Sequence, residues 1–253
     1  MIDIHTHILP GVDNGAPTME HSMKMAAKAV KEGMTTLVAA PYHNNGSYNN
    51  YKNNILIQVG ELNRQLEERD IPLTVVSGQV TRIYGDMLEG IHNNEILPIN
   101  EHSSYVLIEL PHDHVPHYIS NLLFSLQVEG YRPILVHPER NQQIVEQPNL
   151  LYSLVRKGAF TQVAAGSLLG GNGKKAKKLS YQLIEANLVH LIALESHNPQ
   201  GFTIKEAYRQ LRKKYGQSMV YYLSENAAYA VEGQVLATEP PQRVKKKKIL
   251  GLF

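Results

Sequence analysis

Two histidines at alternate positions near the start of the chain are the first residues that suggest chemistry. His5 and His7 directly follow the short, mostly apolar run of residues 1–4. Because successive side chains of a β-strand point to opposite faces, His5 and His7 would face the same way and could direct both imidazoles at one ion. Taken alone, such a pair is as often two ordinary surface or core histidines as it is two metal ligands.

Other apolar runs end directly before residues of the same chemistry. These residues are Glu109, His137, Glu195 and His197. Each by itself could be a solvated residue at the start of a loop. In a barrel of parallel strands, however, all C-terminal strand ends surround one mouth, so residues from separate strands would meet there. We therefore predict one metal site with the ligands His5, His7, Glu109, His137, Glu195 and His197.

The types of donor narrow the choice of metal and of chemistry. Imidazole and carboxylate without thiolate suit manganese, iron or zinc better than copper or an iron–sulfur cluster. The chain has 12 histidines and no cysteine, which excludes a disulfide framework, a thiolate zinc site and a cysteine nucleophile. A divalent ion in such a site would polarise a phosphoryl oxygen and lower the pKa of a bound water.

The elements that must position these residues alternate regularly along the chain. Short runs rich in β-branched residues predict strands at residues 1–4, 36–39, 74–76, 105–108, 133–136, 160–163 and 189–194. Apolar residues at helical spacing predict helices at residues 19–30, 55–66, 119–129, 176–186 and 204–215. This alternation predicts an α/β fold with a parallel sheet, closed or nearly closed into one barrel. We expect a single domain over residues 1–239 and a basic tail over residues 240–253.

Composition and charge fit an ordinary soluble globular protein. A chain of 253 residues fits one α/β barrel, and a hydrophobic content of 43% excludes a wholly disordered chain. The formal charge of +2 is too small to indicate a nucleic-acid partner. The N-terminus lacks a basic region before an apolar stretch, and no apolar run approaches the roughly 18 residues that cross a bilayer. These features predict a cytoplasmic protein.

A glycine-rich segment at residues 166–174 has the composition of a phosphate loop. Its spacing does not match the Gly-x4-Gly-Lys-Ser/Thr pattern of such loops. The segment is therefore interpreted as a flexible connection, with anion binding as the alternative.

Four short motifs together resemble a known family. They are the opening Ile4-His5-Thr6-His7-Ile8-Leu9-Pro10-Gly11-Val12-Asp13, Ile108-Glu109, Val136-His137-Pro138-Glu139-Arg140 and Ser196-His197-Asn198. They resemble the PHP-superfamily tyrosine-protein phosphatases of bacterial capsule and exopolysaccharide operons. The similarity extends from Met1 to the tail.

The resemblance implies a fold, a cofactor and a substrate. It implies a distorted (β/α)7 TIM-like barrel, the PHP fold, with up to three metal ions that are often manganese. It also implies hydrolysis of phosphotyrosine on a cognate bacterial tyrosine kinase. By position, His5, His7, Glu109, His137 and His197 match metal ligands of the family, and Arg140 matches an arginine that holds the phosphate.

Four positions depart from the pattern that the resemblance implies. Asn14 stands where the family has a second aspartate, Tyr42 where it has a ligand histidine, and Val80 where it has a bridging glutamate, with Gln79 one residue away. Glu195 replaces an aspartate and so lengthens the side chain by one methylene. These changes predict an incomplete metal cluster and an impaired enzyme.

Three functions remain open at this point. The first is a metal-dependent tyrosine-protein phosphatase in which a bound water is the nucleophile and Arg140 neutralises the phosphoryl group. The second is an inactive protein of the same fold that binds phosphoprotein without turning it over. The third is a hydrolase of a small phosphate monoester.

The end of the chain carries a run of positive charge. Residues 243–248 contain Arg243 and the four lysines 245–248, and an apolar end follows. Such a run is most often solvated. The alternative is weak, salt-sensitive contact with an anionic membrane surface, since each lysine or arginine contributes about 1 kcal/mol there.

Overall fold

The strands in the described part of the chain pair in parallel, and helices separate most of them in sequence. The fold is described from a computed structural model, which covers residues 1–201 and 203–245. The strands are β1 (Ile2–Thr6), β2 (Thr36–Ala39), β3 (Tyr42–His43), β4 (Thr74–Ser77), β5 (Val80–Arg82), β6 (Tyr105–Glu109), β7 (Arg132–Val136), β8 (Phe160–Ala164) and β9 (Leu191–Ala193). The helices are α1 (Met19–Lys31), α2 (Lys52–Glu68), α3 (Met87–His92), α4 (Ile119–Val128), α5 (Gln142–Glu146), α6 (Asn149–Val155), α7 (Ala165–Leu169), α8 (Gly173–Glu185), α9 (Ile204–Tyr215) and α10 (Gln217–Glu232). The predicted α/β fold with parallel strands is confirmed.

The strands form two sheets, of order β1-β2-β4 and β3-β5-β6-β7-β8-β9. The backbone connects the two sheets directly at two places. Two residues separate β2 from β3, and two residues separate β4 from β5. Backbone hydrogen bonds also bridge these breaks, from Ala40 N–H to Thr6 O (2.9 Å) and from Val80 N–H to Pro41 O (3.0 Å). Each sheet is therefore the continuation of the other along the strand direction.

The outer strands β1 and β9 meet at one point. Thr6 and Ser196 form an isolated parallel bridge, and Glu195 N–H donates to His5 O at 2.9 Å. The Asp3 carboxylate strengthens this contact by accepting the backbone N–H of Leu194 at 2.7 Å. Among the described residues the strand ladders do not close into a complete barrel, so the predicted barrel is not confirmed as such.

The strands separate two apolar regions. Alternate strand residues point inward and pack together, among them Ile4, Val38, Leu107, Ile134 and Leu191, all fully buried. Their neighbours in sequence point outward and pack against the helices. Because both faces of each strand are covered, the strands read as nearly continuous apolar runs. The inner region is completed by Ala227, Ala230 and Val231 of α10.

The glycine-rich segment is the clearest correction to the sequence prediction. Much of it is helical, because Gly166 to Leu169 lie in α7 and α8 begins at Gly173. Gly170 has a φ of +98° and ends α7 in the left-handed conformation that glycine tolerates best. The interpretation as a flexible connection was therefore wrong for most of the segment.

The segment after α10 crosses back over the outer surface. Asn187 Nδ2 donates to Pro240 O at 3.1 Å, Gln242 N–H donates to Ala186 O at 2.8 Å, and Val244 N–H donates to Asn149 Oδ1 at 3.0 Å. Residues 246–253, which hold most of the predicted basic tail, lie outside the described residues. In the part of the chain that is described, no helix has the length and apolarity to span a bilayer.

Candidate metal centre

The six predicted ligands lie together at the C-terminal ends of four strands and in the loops that follow them. His5 belongs to β1 and His7 follows it, Glu109 ends β6, His137 follows β7, and Glu195 and His197 follow β9. The His5 and His137 ring centroids are 6.3 Å apart. His197 stacks on His7 with 4.0 Å between ring centroids. The convergence that the sequence predicted is therefore present in the structure.

The His5 and His7 side chains have the spacing of two ligands on one ion. Their Nε2 atoms are 3.2 Å apart. Two nitrogens that are each about 2.1 Å from a metal are separated by roughly 3.0–3.4 Å for octahedral or tetrahedral angles. Both side chains are buried, so their position is set by the surrounding protein.

Two acceptors fix the tautomers of these histidines. His5 Nδ1 lies 3.1 Å from Gln162 Oε1, and His7 Nδ1 lies 2.6 Å from Asp13 Oδ2. Because an oxygen acceptor requires an N–H, both rings carry a proton on Nδ1, and in its neutral form each ring leaves a lone pair on Nε2. The two lone pairs face each other, and a cation between them would remove the repulsion.

Protonation of His5 does not supply that cation at neutral pH. Burial lowers the pKa of His5 to about 3, because the imidazolium would lose its hydration. The neutral His5 and the short contact with His7 together favour a metal ion. This is the observation on which the metal assignment mainly depends.

Asp13 sits at the centre of the loop that follows β1. Its Oδ1 accepts the Gly15 N–H at 2.9 Å, and hydrogen bonds lower its pKa despite burial. Gly15 lies so close to His7 that a Cβ added there would be 2.1 Å from His7 O. The loop therefore wraps tightly around His7 and needs glycine at that position.

A second group of donors surrounds His137. Its Nε2 is 3.5 Å from Glu109 Oε1 and 3.6 Å from Glu195 Oε1. This nitrogen is buried and has no hydrogen-bond partner among the described residues. Since an unpartnered buried nitrogen is costly, the position again suits a bound cation.

Two arginines hold the carboxylates of this group. Arg140 Nη1 donates to both oxygens of Glu195 at 2.6 Å, and Arg82 Nε donates to Glu109 Oε2 at 2.9 Å. Arg140 and His137 favour the carboxylate form of Glu195 and hold its pKa at about 2, against the opposing effect of burial. Among the described residues, no group of three or more histidine, aspartate or glutamate side chains is arranged so that it could hold a metal ion, and the two arginines occupy carboxylate oxygens of Glu195 and Glu109 instead.

Backbone strain is concentrated at two of the candidate ligands. His137 has a φ of +36° and Glu195 a φ of +49°, in the left-handed region that non-glycine residues rarely adopt. Such conformations persist when the surroundings determine them, and they occur often at functional sites. Both turns direct a side chain from the end of a strand toward the mouth.

The replaced positions bring mostly apolar surface to the site. Val80 is fully buried in the inner apolar region. The Tyr42 ring packs on His7 with 4.4 Å between centroids. The side chain of the neighbouring Gln79 points elsewhere, since its Oε1 accepts Leu97 N–H at 3.0 Å. His43 also points away and contacts Tyr51, while Asn14 is exposed.

A buried carboxyl supports the turn that carries Arg140. Glu139 is fully buried, and its Oε1 accepts Ser167 Oγ–H at 2.6 Å and Ala164 N–H at 3.1 Å. Burial raises the pKa of Glu139 to about 7. These bonds connect the turn Pro138–Arg140 to the end of β8 and to α7.

Four important residues were not predicted as part of the site. They are Asp13, Arg82, Glu139 and Gln162. The sequence did contain a signal for Gln162. A polar residue within the apolar run of β8 would be buried and would need a hydrogen-bond partner. Glu139 lies two residues after His137, whereas Asp13 and Arg82 are further from the predicted ligands. The roles of all three depend on contacts that spacing does not encode.

Comparison with known proteins gives one consistent result. Residues 1–232 match the family described as capsular polysaccharide synthesis, CpsB/CapC. The sequence is 44% identical over 255 residues, covering 100% of both chains, to tyrosine-protein phosphatase YwqE from Bacillus subtilis (strain 168). It is 37% identical over 256 residues, again covering 100% of both chains, to the CapC protein from Staphylococcus aureus.

A solved structure is similar over nearly the whole chain. With a TM-score of 0.94 and 44% identity, 97% of this chain and 100% of the other superimpose. That chain comes from the crystal structures of YwqE from Bacillus subtilis and CpsB from Streptococcus pneumoniae, which are described as unique metal-dependent tyrosine phosphatases.

Proposed function

Because this chain belongs to the CpsB/CapC family of capsular polysaccharide synthesis, we propose that it is a metal-dependent tyrosine-protein phosphatase. The facing Nε2 atoms of His5 and His7, 3.2 Å apart, carry this proposal. The names of its relatives support the same reaction. Its substrate is a phosphotyrosine protein of the capsule or exopolysaccharide pathway, with a cognate bacterial tyrosine kinase as the specific candidate.

The candidate ligands fit divalent ions. His5, His7 and His197 would hold one ion, and Glu109, His137 and Glu195 would hold or share it from the other side of the mouth. Manganese is the first candidate, with iron and zinc as alternatives that suit the same donors. When bound, the metal would activate a water molecule and polarise the phosphoryl group.

Arg140 has the role of holding the phosphate. Its side chain is 35% exposed and reaches the mouth from the turn after β7. Both of its side-chain hydrogen bonds leave from Nη1. The guanidinium would hold the phosphate oxygens through strong charge-assisted hydrogen bonds. Glu139 positions Arg140 by fixing the turn beside it.

The centre holds fewer ions than the three that the family resemblance implies. Val80 and Tyr42 offer no charge where the family pattern has a carboxylate and an imidazole. Asn14 offers only a neutral oxygen. A cluster of divalent ions requires anionic ligands to balance its charge, so the loss of two carboxylates favours one ion over three and reduces the rate.

The wider architecture is that of a distorted (β/α)7 barrel. Counting β2 with β3 and β4 with β5 gives seven strands around the inner apolar region. The β1–β9 bridge at Thr6 and Ser196 joins the two ends of this series. Residues 1–239 form the domain, and the cytoplasm is the compartment in which its kinase substrate would expose a tyrosine-phosphorylated segment.

A second function is favoured by the apolar replacements at the site. Tyr42 and Val80 preserve a packed mouth without providing metal ligands, which suits a protein that binds phosphotyrosine without hydrolysing it. Arg140 and Arg82 would then recognise the phosphate by themselves. This alternative predicts phosphopeptide binding that does not depend on metal.

Metal analysis and turnover distinguish the two functions. The purified chain is analysed for bound metal and then assayed with p-nitrophenyl phosphate and with a phosphotyrosine peptide, with added manganese or with EDTA. Bound metal and manganese-dependent release of phosphate are expected. Peptide binding of equal affinity with manganese and with EDTA, without any release of phosphate, would establish the binding protein instead.

A further inference from the structure

A groove leads from the candidate metal centre to the start of α8. A small cavity at the mouth, lined by Glu109, His137 and Arg140, shares His112 and Arg140 with a larger cavity of about 470 Å³. The larger cavity continues between α5 and α8, where Gln142 and Lys175 lie on its walls. We call this larger cavity the α8 groove.

The first turns of α8, which border the groove through Lys175, carry uncompensated positive charge. Lys174, Lys175 and Lys178 are exposed, and none of them forms an ion pair with the described part of the chain. The first turn of α8 contains no acidic residue, and the Asn172 side chain makes no capping hydrogen bond. Lysines at a helix N-terminus add to the positive end of the helix dipole, which is an unfavourable arrangement for stability alone.

The opposite wall carries less charge. Glu146 of α5 is exposed and lines the groove. Glu139 also borders it but is fully buried, and two hydrogen bonds occupy its Oε1. Lys175 therefore faces the carboxylate of Glu146 across the groove, Lys174 and Lys178 lie beside it on α8, and Arg140 stands where the groove joins the mouth.

We propose that the α8 groove binds the acidic chain that flanks the phosphotyrosine of the substrate, with Lys175 as a specificity-determining residue. This inference rests on the phosphatase function proposed above, since it assumes that the phosphate is seated at the mouth. The residues beside a phosphotyrosine in that position must leave along an open path, and the α8 groove is continuous with the mouth through Arg140. Positive charge along this path selects glutamate or aspartate side chains.

Two matched peptides test the charge preference. One phosphotyrosine peptide carries glutamates on both sides of the phosphotyrosine, and the other carries glutamines at the same positions. The ratio of their kcat/KM values is measured for the full chain and for Lys175→Glu, so that any change in the chemical step cancels. We expect the unmodified chain to favour the glutamate peptide by up to about fivefold, the upper end for one exposed ion pair, and Lys175→Glu to remove or reverse this ratio.

Two charge variants serve as controls. Lys213→Glu makes the same charge change on α9, outside the groove, and should keep the original ratio. Glu146→Gln removes the opposing carboxylate and should increase the ratio. An unchanged ratio in Lys175→Glu, or an equal loss in Lys213→Glu, would contradict the proposal, because the effect would then be absent or merely one of net charge.

A binding measurement separates this proposal from the phosphatase function. The same two peptides are made with a non-hydrolysable difluorophosphonate in place of the phosphate, and their affinities are measured by fluorescence anisotropy. If p-nitrophenyl phosphate is not hydrolysed but the acidic peptide still binds more tightly and Lys175→Glu abolishes that preference, the groove is supported and only the catalytic function fails. Equal affinities of the two peptides would overturn the groove.

Discussion

At the scale of single residues, the strongest constraint on the site is the orientation of two imidazole rings. Gln162 and Asp13 are not proposed as metal ligands, yet they determine which nitrogen of His5 and of His7 is available to a metal. Such outer partners usually change metal affinity by 10- to 100-fold when they are altered. They deserve testing before the ligands themselves, since they leave the first coordination sphere in place.

Asp13→Asn should weaken metal binding without removing any proposed ligand. An asparagine at this position can present its amide N–H₂ to His7 Nδ1, which would favour the wrong tautomer and place the ring proton on Nε2. We expect manganese affinity to fall by about 10- to 100-fold, as measured by isothermal titration calorimetry. Asn14→Ala is the control, because Asn14 is exposed and contributes no charge. Equal affinities of Asp13→Asn and the unmodified chain would show that this contact does not orient a ligand.

Val80→Glu should make the stability of the protein depend on manganese. Val80 is fully buried, and an unpaired carboxylate there is costly, so the variant should have a lower Tm in EDTA. If a metal ion lies beside this position, manganese should raise the Tm of Val80→Glu more than that of the unmodified chain. Val80→Gln, which adds similar bulk without charge, is the control in the same thermal melts.

Activity gives the second part of the Val80 prediction. Val80→Glu combined with Asn14→Asp and Tyr42→His restores the donors that the family pattern contains, and it should raise the rate of p-nitrophenyl phosphate hydrolysis. A combined variant that remains inert in saturating manganese would show that these replacements are not the cause of a low rate.

At the scale of elements, the sequence predicted best those segments whose environment is uniform. The strand at residues 36–39 and the helix at residues 204–215 have the predicted bounds, because one face or both faces are consistently apolar. Strands β3 and β5 were not predicted, since Tyr42–His43 and Val80–Arg82 have only two and three residues. They exist because β2 and β4 continue past a break, which depends on neighbouring strands.

Helix α10 was missed for a different reason. Gln217–Glu232 mixes small and polar residues and has several tyrosines, so its apolar stripe is weak in sequence. In the structure the small side chains of Ala227 and Ala230 fit against the inner ends of the strands. Asn226 further fixes the helix by donating to His190 O at 3.0 Å. These contacts are tertiary, and local periodicity does not contain them.

The segment before β9 allows a test of pH dependence away from the candidate metal centre. Burial lowers the pKa of His190 to about 4, and its Nδ1 accepts the Thr161 N–H at 3.1 Å. The folded protein thus keeps His190 neutral, while the unfolded chain takes up a proton near the ordinary histidine pKa of about 6.5. This group's contribution to stability is therefore fully present above about pH 6.5 and is lost as the pH falls toward 4.

His190→Gln should flatten this part of the pH profile. Urea unfolding between pH 6.5 and 4.5 should show a free energy of unfolding that falls less steeply in the variant, by up to about 1.4 kcal/mol per pH unit, the value for one proton. His92→Gln is the control, because the His92 side chain is 55% exposed and its substitution should leave the slope unchanged. Parallel profiles for His190→Gln and the unmodified chain would contradict the prediction.

At the scale of the whole molecule, the parallel arrangement turns separate strand ends into one site. The sequence could predict this convergence because each candidate ligand follows an apolar run, and all parallel strands end on the same side. It could not predict that Arg140 and Arg82 neutralise Glu195 and Glu109, since those pairs join residues 55 and 27 positions apart. The candidate ligands could thus be predicted from the sequence, whereas the arginine–glutamate ion pairs that balance their charge could not.

The C-terminal segment divides into a packed part and a basic part, which determines how its membrane role should be tested. The Val244 side chain is 7% exposed, and the Arg243 guanidinium lies 5.0 Å from the centroid of the Tyr152 ring. A chain shortened at residue 242 would lose these contacts together with the lysines. A chain that ends at Lys245 keeps the contacts and removes only residues 246–253.

Binding to anionic vesicles should separate the two chains if the basic run contacts a membrane surface. Loss of Lys246, Lys247 and Lys248, at about 1 kcal/mol each, corresponds to roughly a hundredfold weaker partition to the vesicles. Co-sedimentation should therefore retain the full chain on phosphatidylserine vesicles at low salt and release the chain that ends at Lys245. Neither chain should bind neutral vesicles, and 0.5 M salt should release the full chain, because screening shortens the reach of the surface potential to a few ångströms. Equal sedimentation of both chains on anionic vesicles would exclude a membrane role for residues 246–253.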